Sequence, residues 1–513
     1  MSRVRVASTH LSSRTDRRAL LAVWFAIVLT ACHATPRPAV TPDTPDLTAT
    51  GRLRRQIDAI LAAPALARST WGILVRSTKN EDVLYSWNPG KLLMPGSTMK
   101  VVTLAAAADR LGWDHVYDTR LVAAGTIDSG AGILNGDLVV VGSGDPSIVE
   151  ADGTAARLFA DWTMALKQRG IRTVTGRIVG DDNAFDDETL GPGWAWDDLP
   201  GRDATAVSAL QFNENVALAT VTPGASVGEP AAVAIAPAGS DLVLDDRLTT
   251  APETTPTTIT ARRPAGSNRL ELRGAVSLGS APIVRAVSVD NPTLFFVSAL
   301  RGALVDAGIE IRGAAVDVDD LAAAPVSDPR TELSIHYSPP LSQLAVRLMK
   351  NSQNLYAETI IKTLGGSSGA PSFENGRMVA ASTVIPWGVD PGGVVQVDGS
   401  GLSRYNYVTA DGLVTILLHV DRDKVLRGPF ESALPVAGVD GTLATRMKGT
   451  AAEGNARAKS GTLANVRSLA GYVSTADDES VVFAIIANNF GTMPEVAISA
   501  IDEIVATLAQ FRR

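Results

Sequence analysis

The two ends of this 513-residue chain carry complementary pieces of one layered body, and no other feature constrains the fold as tightly. Near the front, Arg52 to Leu66 repeats apolar residues every three or four positions, the spacing of an amphipathic helix. "WGILVRST" and "DVLYSW" follow, separated by Lys79-Asn80-Glu81, and read as a β-hairpin. Pro95-Gly96 then punctuates the chain before an Ala-rich helix that ends near Gly112. At the far end, "RSLAGYVST" and "SVVFAIIANN" read as strands flanking a turn at Ala476-Asp477-Asp478. "PEVAISAIDEIVATLAQF" then reads as an amphipathic closing helix. Helix, hairpin and buried helix at one end, with strands and a helix at the other, predict one α/β (α+β) domain assembled from both termini.

What lies between has a different texture. The chain is too long for one ordinary core, and Leu121 to Pro325 is rich in Val, Thr, Gly and Pro. Short alternating runs such as "GDLVVVGSG", "GRIVGDD" and "AAVAIA" are strand signals. "TLFFVSALRGALVDAGIEIRG" is the clearest helix-then-strand unit. We therefore expect residues 121–325 to be an inserted, mostly β region of one or two subdomains. Residues 51–120 and 326–513 then form the enclosing domain. No repeat of fixed period is visible.

Hydrophobic content of 45% with 19% charged residues describes a globular body. A net charge of -8, without any long Lys/Arg run, argues against nucleic acid as a partner. Arg14, Arg17 and Arg18 precede an apolar stretch, Ala19 to Leu29, which has the shape of a secretory signal and is short for a membrane span. It runs into Leu29-Thr30-Ala31-Cys32, which resembles the lipobox of bacterial lipoproteins. That resemblance implies residues 1–32 as the signal segment, a diacylated Cys32 as mature N-terminus and a membrane-held envelope protein; the alternative is ordinary cleavage after Ala34. Cys32 is the only cysteine, so an intramolecular disulfide is excluded. Residues 33–50, "HATPRPAVTPDTPDLTAT", read as a Pro/Thr-rich spacer. His10 and His33 fall in these segments, and His115, His336 and His419 are widely spaced. With no H-E-x-x-H pair and no thiol ligands, neither a zinc site nor a Ser-His-Asp triad is expected, and no metal or cofactor is predicted.

Chemistry centres on a serine-x-x-lysine pair that occurs once, Ser97 and Lys100 in "MPGSTMKVVTLAAAADRLG". Residues three apart share a helix face, so the amine reaches the hydroxyl. A serine nucleophile needs a neighbour to take its proton. Lysine serves only if its pKa falls, which burial and a helix N-terminus favour. Alone, such a pair also fits a helix cap beside a surface lysine. "MKNSQNLYAET" adds Ser352 and Asn354, a hydroxyl and an amide expected to point the same way. "ARAKSGTLANV" adds Lys459, Ser460, Gly461 and Thr462 on an expected edge strand, with Gly461 letting substrate approach the backbone. A decoy, Ser86-Trp87-Asn88, sits at a hairpin end. Asp145, in a turn with Pro146, and Asp398, beside Ser400, are expected to organise loops; Trp194, Trp196, Tyr405 and Tyr407 have no assigned role.

In this order the three patterns form the Ser-x-x-Lys, Ser-x-Asn, Lys-Thr-Gly set of penicillin-binding proteins and serine β-lactamases. The chain resembles the D-alanyl-D-alanine carboxypeptidase/endopeptidase family, the low-molecular-mass class C penicillin-binding proteins. "NGDLVVVGSGDPSI", "GRIVGDDNAF", "AVSALQFNENV", "DNPTLFFVSALRGALVDAGIEIRG", "DGSGLSRYN" and "LPVAGVDGTLATRMKGT" extend the resemblance over nearly everything after residue 50. The long insertion between Ser97 and Ser352 is itself a mark of that family. The resemblance implies an antiparallel sheet flanked by helices, a penicillin-binding/serine β-lactamase-like transpeptidase domain. It implies Ser97 as nucleophile, Lys100 as base and an oxyanion held by the backbone N–H groups of Ser97 and Thr462. Ser352, near Lys100 and Lys459, would pass a proton to the departing amine, and Asn354 would bond the substrate backbone. Lys459, Ser460 and Thr462 would face the terminal carboxylate. Peptidoglycan peptides are the implied substrates and β-lactams the implied covalent inhibitors. Ser460 stands where that family usually has threonine; the hydroxyl is kept, so tuning and not loss is expected. Two rivals are a β-lactamase or esterase on the same scaffold, and an idle lipid-anchored cell-wall binding protein, which would predict decay in a triplet that none shows.

The lipoprotein reading is testable directly. Cys32→Ala should abolish metabolic labelling with a fatty acid and move the protein from the membrane to the soluble fraction. A labelled, membrane-bound variant would refute it.

Overall fold

Thr48 caps the first helix: its hydroxyl accepts from the Gly51 N–H at 3.0 Å, and α1 spans Ala49–Leu61. The computed structural model describes residues 48–322 and 329–513, so the expected signal, Cys32 and most of the spacer lie outside the described residues. The spacer expected to reach Thr50 ends earlier, because α1 has already begun. The helix also stops at Leu61, short of Leu66; Pro64–Leu66 forms a separate 3-10 turn, since proline cannot continue an α-helix.

β1 (Thr70–Ser77) and β2 (Val83–Trp87) make the expected antiparallel hairpin. A 3-10 turn, Gly96–Thr98, leads into α2 (Met99–Leu111), which ends at Gly112 with φ 81°. Every residue from Met99 to Ala108 is buried. The run of small and apolar side chains lets neighbours approach this helix from all sides.

The chain then leaves for a long excursion of strands and two helices. β3 (Asp118–Asp128), β4 (Ile133–Gly142), α3 (Thr154–Gln168), β5 (Thr173–Val174) and β6 (Ile178–Asp181) open it. β7 (Val216–Thr222), β8 (Ala232–Ala236), β9 (Val243–Ala251), β10 (Thr258–Arg262), β11 (Arg269–Ser277) and β12 (Ile283–Ser288) follow. α4 (Pro292–Asp306), β13 (Glu310–Ile311), β14 (Ala315–Asp317) and β15 (Arg330–Tyr337) complete it. A seven-stranded sheet holds β3–β6 and β13–β15, and two three-stranded sheets run β10-β11-β9 and β12-β7-β8. An apolar core joins Leu121, Val140, Trp162, Phe212, Phe295 and Phe296. β15 pairs antiparallel with β3, so strand pairing here spans Asp118 to Tyr337, wider than the expected 121–325.

On its return the chain forms α5 (Leu341–Lys350), α6 (Asn354–Gly365) and α7 (Phe373–Val384), then the strand pair β16 (Val394–Val395) and β17 (Tyr407–Val408). α8 (Ala410–Arg422), α9 (Arg427–Ala433), β18 (Arg457–Leu463), β19 (Val466–Ser474), β20 (Ser480–Asn488) and α10 (Pro494–Gln510) close the chain. The two termini do share one antiparallel sheet, ordered β18-β19-β20-β1-β2, with Ile73 opposite Ile485. Ile73, Phe483 and Ile485 pack with Leu53, Ile57, Ile501 and Ile504 of α1 and α10. Leu74, Val482, Ala484 and Ile486 pack with Val101, Leu104 and Leu413 on the opposite face. Burial on both faces is why "SVVFAIIAN" is continuously apolar instead of alternating.

The segment between β6 and β7 is an arm laid onto α6. Fully buried Lys362 fixes it, donating to the Asp186 carboxylate at 2.6 Å and to the carbonyls of Asp186 and Glu188 at 3.1 and 2.6 Å. Three donors thus meet three acceptors, and the Phe373 ring lies 4.7 Å from the ammonium. Lys362→Met should lower stability by about 2–3 kcal/mol, less than the about 3–5 kcal/mol of a fully buried pair because Asp186 keeps solvent contact. It should also expose residues 186–204 to limited proteolysis. A urea midpoint and cleavage pattern like the wild type would show that the arm is held by other contacts.

Candidate active site

Ser97 lies in the 3-10 turn Gly96–Thr98, immediately before α2, and Lys100 is the second residue of that helix. Lys100 is completely buried. Its Nζ contacts Ser97 Oγ at 2.9 Å, Asn354 Oδ1 at 2.7 Å and the Ser400 carbonyl at 3.1 Å. Burial pushes its pKa down, against the opposing pull of Glu358, Asp398 and Asp203. The nature of the partners decides what a neutral Lys100 does. An amide oxygen and a carbonyl can only accept, so they take the two N–H groups of the neutral amine. The lone pair is left facing Ser97.

Ser352 and Asn354 bond to different lysines, with the chain turning into α6 between them. Ser352 adopts φ 57° and Asn354 is the first residue of α6. The Ser352 hydroxyl accepts from Lys459 Nζ at 2.9 Å, while Asn354 donates through Nδ2 to the Asp203 carbonyl at 2.8 Å. Lys459 is completely buried and also donates to the Ser460 carbonyl at 2.8 Å. Burial, then the nearby charge of Lys100, holds its pKa well below the ordinary lysine range. The hydroxyl expected beside both lysines is therefore bonded to Lys459, and Asn354 takes the place beside Lys100.

Lys459, Ser460, Gly461 and Thr462 lie on β18, the edge of its sheet as expected. The Ala458 N–H points off that edge to the Pro435 carbonyl at 3.0 Å. The two-residue period directs the N–H groups of Ser460 and Thr462 the same way. The Thr462 nitrogen sits only 2.8 Å from where a Gly96 Cβ would be, so it borders the Ser97 turn. Gly461 is also required by packing. A Cβ there would meet Ser468 Oγ at 2.2 Å and the Pro95 carbonyl at 2.3 Å; the missing side chain makes room for the turn that carries Ser97. Ser460 Oγ bonds Thr442 Oγ1 at 2.7 Å, and Thr462 is exposed.

These groups border a cleft of ≈370 Å³ whose lining includes Ser97, Ser352, Asn354, Ser460 and Thr462, together with Asp203, Thr442, Arg446 and Arg467. The last four were not anticipated. Asp203 comes from the arm, where nothing local marks it; the arginines carried a signal in their closeness to the third triplet. Asp398 organises the rim, accepting from the backbone N–H groups of Gly401 and Ser403 and from Asn406 and Trp194. Asp145 closes its turn through Ser147. Trp196, Tyr405 and Tyr407 are exposed. His115, His336 and His419 are absent from the cleft lining. Outside that lining, Asp182, Asp317 and Asp319 bring carboxylate oxygens within 4.8 Å of one another, the one such grouping of metal-ligating side chains among the described residues.

A serine and a buried lysine one helical turn apart, beside the edge of an antiparallel sheet, are the arrangement that a serine hydrolase with an amine in place of an imidazole would need. The chain belongs to the D-Ala-D-Ala carboxypeptidase 3 (S13) family, whose model matches residues 53–511. It is 36% identical over 475 residues to the D-alanyl-D-alanine carboxypeptidase of Actinomadura sp. (strain R39), covering 90% of this chain and 85% of that one. Its fold is that of penicillin binding protein 4 (dacB) from Haemophilus influenzae. The crystal structure of that protein matches with TM-score 0.77 at 24% identity, over 89% of this chain and 99% of that chain. A second crystal structure of it, complexed with a β-lactam, matches with TM-score 0.70 at 23% identity, over 88% and 98%.

Substitution separates proton acceptance from mere charge at position 100. Lys100→Arg should lose acylation by a fluorescent penicillin about as completely as Lys100→Ala, by ~10²–10⁴, because a guanidinium does not release its proton. Lys459→Arg should retain more. Circular dichroism checks the fold. Wild-type acylation of Ser97 in Lys100→Arg would leave the lysine as an electrostatic neighbour only.

Proposed function

We propose that this D-Ala-D-Ala carboxypeptidase works through an ester on Ser97, with the contact between Lys100 Nζ and Ser97 Oγ as the observation that carries the reading. Neutral Lys100 takes the hydroxyl proton while Ser97 Oγ bonds to the carbonyl carbon between two D-alanines. The backbone N–H groups of Ser97 and Thr462 receive the oxyanion, where fixed donors act without reorganisation. Collapse of the tetrahedral species breaks the C–N bond, and the proton taken up by Lys100 passes through Ser352 to the leaving amine. Water then gives a proton to Lys100 as its oxygen bonds to the ester carbon, and Lys100 returns that proton to Ser97 Oγ as the ester C–O bond breaks. A β-lactam forms the same ester and leaves slowly.

Ser460 and Thr462 supply the hydrogen-bonding wall for the terminal carboxylate, with Lys459 buried behind them, and Arg446 and Arg467, which line the same cleft, add positive charge. Asn354 has one Nδ2–H beyond those used in the structure, and we assign that donor to a substrate carbonyl. The substrates are peptidoglycan stem peptides, with cross-links cut as well where the arm admits them. We read residues 118–337 as an inserted body of two β-rich subdomains, and Cys32 as a lipid anchor holding the enzyme in the cell envelope. No helix among the described residues is long and apolar enough to cross a membrane.

Incubation with defined peptidoglycan fragments, followed by mass analysis, tests the reading. Loss of terminal D-alanine, blocked by prior acylation with penicillin, is expected, along with cleavage of cross-linked dimers. Intact peptides together with rapid, repeated β-lactam hydrolysis would instead make the protein a β-lactamase on this scaffold.

A further inference from the structure

One fully buried acid near the site takes part in none of these steps. Glu358, on α6, has no solvent exposure. Its two carboxylate oxygens accept from consecutive backbone N–H groups, Gly399 and Ser400, each at 2.8 Å. The two carbonyls of the same residues are held from α2: Thr103 Oγ1 donates to Gly399 at 2.7 Å and Lys100 Nζ to Ser400 at 3.1 Å. Gly401 follows with φ 86°, and a Cβ on it would fall 1.9 Å from the Gly96 carbonyl, so this loop is pressed against the turn of Ser97.

We propose that Glu358 is a positioning residue for the reaction: by clamping the Gly399–Ser400 backbone, it fixes the carbonyl that turns the lone pair of Lys100 toward Ser97. This rests on the reading of Lys100 as the base. Asn354 and Glu358 are four apart, so one face of α6 delivers both the amide oxygen and the clamp. Burial, then the neighbouring Asp398, raises the Glu358 pKa, and the Gly399 and Ser400 N–H groups oppose that rise by favouring the carboxylate, which only accepts and so matches both donors at once. Glutamine matches one of them and presents its own N–H groups to the other, which displaces the loop. Glu358 also acts by charge. Burial lowers the Lys100 pKa, and Glu358 pulls it up, as do Asp398 from the rim loop and Asp203 from the arm; the charge of Lys100 in turn lowers the pKa of buried Lys459 on β18.

The test measures acylation by a fluorescent penicillin across pH in four proteins: wild type, Glu358→Gln, Glu358→Asp and Ser97→Ala. In Glu358→Gln the acylation rate constant at saturating penicillin should fall about ten- to hundredfold, with the prior binding constant nearly unchanged. Its acid limb should also move to lower pH, since removal of the anion makes Lys100 easier to deprotonate. Glu358→Asp keeps the charge and should be slow with the limb where the wild type has it. A merely structural role would lower the melting temperature and leave the limb in place. Wild-type rate and limb in a folded Gln variant, or a rate loss with identical limbs in both variants, overturns the proposal. Acylation of Ser97→Ala would instead overturn the reading of the site on which it rests.

Discussion

An amine sealed away from water is the constraint on which this structure depends. Lys100 has no solvent exposure, and a buried amine is tolerable only where each of its hydrogen-bonding positions has a partner. One partner, Ser97, lies a single turn away, and the other two come from sequence-distant segments: Asn354 from α6 and the Ser400 carbonyl from the rim loop. Each must in turn be held. Asn354 is tied to Asp203 of the arm, and the Ser400 peptide to Glu358. Burial serves the chemistry as well as demanding this support, because the environment that disfavours the ammonium makes the amine able to accept a proton near neutral pH.

The same logic explains where glycine is required. The turn bearing Ser97 is wedged between β18 and the rim loop, and a Cβ on Gly461 or Gly401 would strike the carbonyls of Pro95 or Gly96. Side-chain-free contacts on both flanks hold the Ser97 turn in place. They also bring the edge N–H of Thr462 next to it, since a flush strand can offer its free donors to whatever sits beside Ser97.

How much of this the sequence disclosed follows the physics of each feature. Strands and helices with strong local periodicity were legible, including the joining of both termini in one sheet. Chain positions set by proline and a capping hydroxyl shifted α1 by a few residues, which periodicity alone does not resolve. The triplets named the residues of the cleft, but partner choice within it depends on backbone angle. The left-handed turn at Ser352 is invisible in the letters Ser-Gln-Asn. Asp203 was not legible at all, because its place is set by an arm whose path depends on tertiary contacts. The arm's anchor did carry a signal. In "NLYAETIIKTLG" Asn354, Glu358 and Lys362 recur every fourth position on a helix with no other charged or amide side chain. A buried helix with a polar stripe on one face must satisfy that stripe internally.

That stripe gives the insertion its meaning. Asn354 reaches the base, Glu358 the rim loop and Lys362 the arm, so one helix face is bonded to three separate bodies of the molecule. None of the three polar groups can be left unpaired without a large desolvation penalty. The arm therefore does more than cover the cleft. Asp203 closes the hydrogen-bond circuit of Asn354, and Trp194 closes that of Asp398; without them two buried polar groups near Lys100 would lose partners. The long excursion between the first and second triplets is thus built into the catalytic centre as structure, and a chain that lacked it would need other donors and acceptors at these positions to keep Lys100 in place.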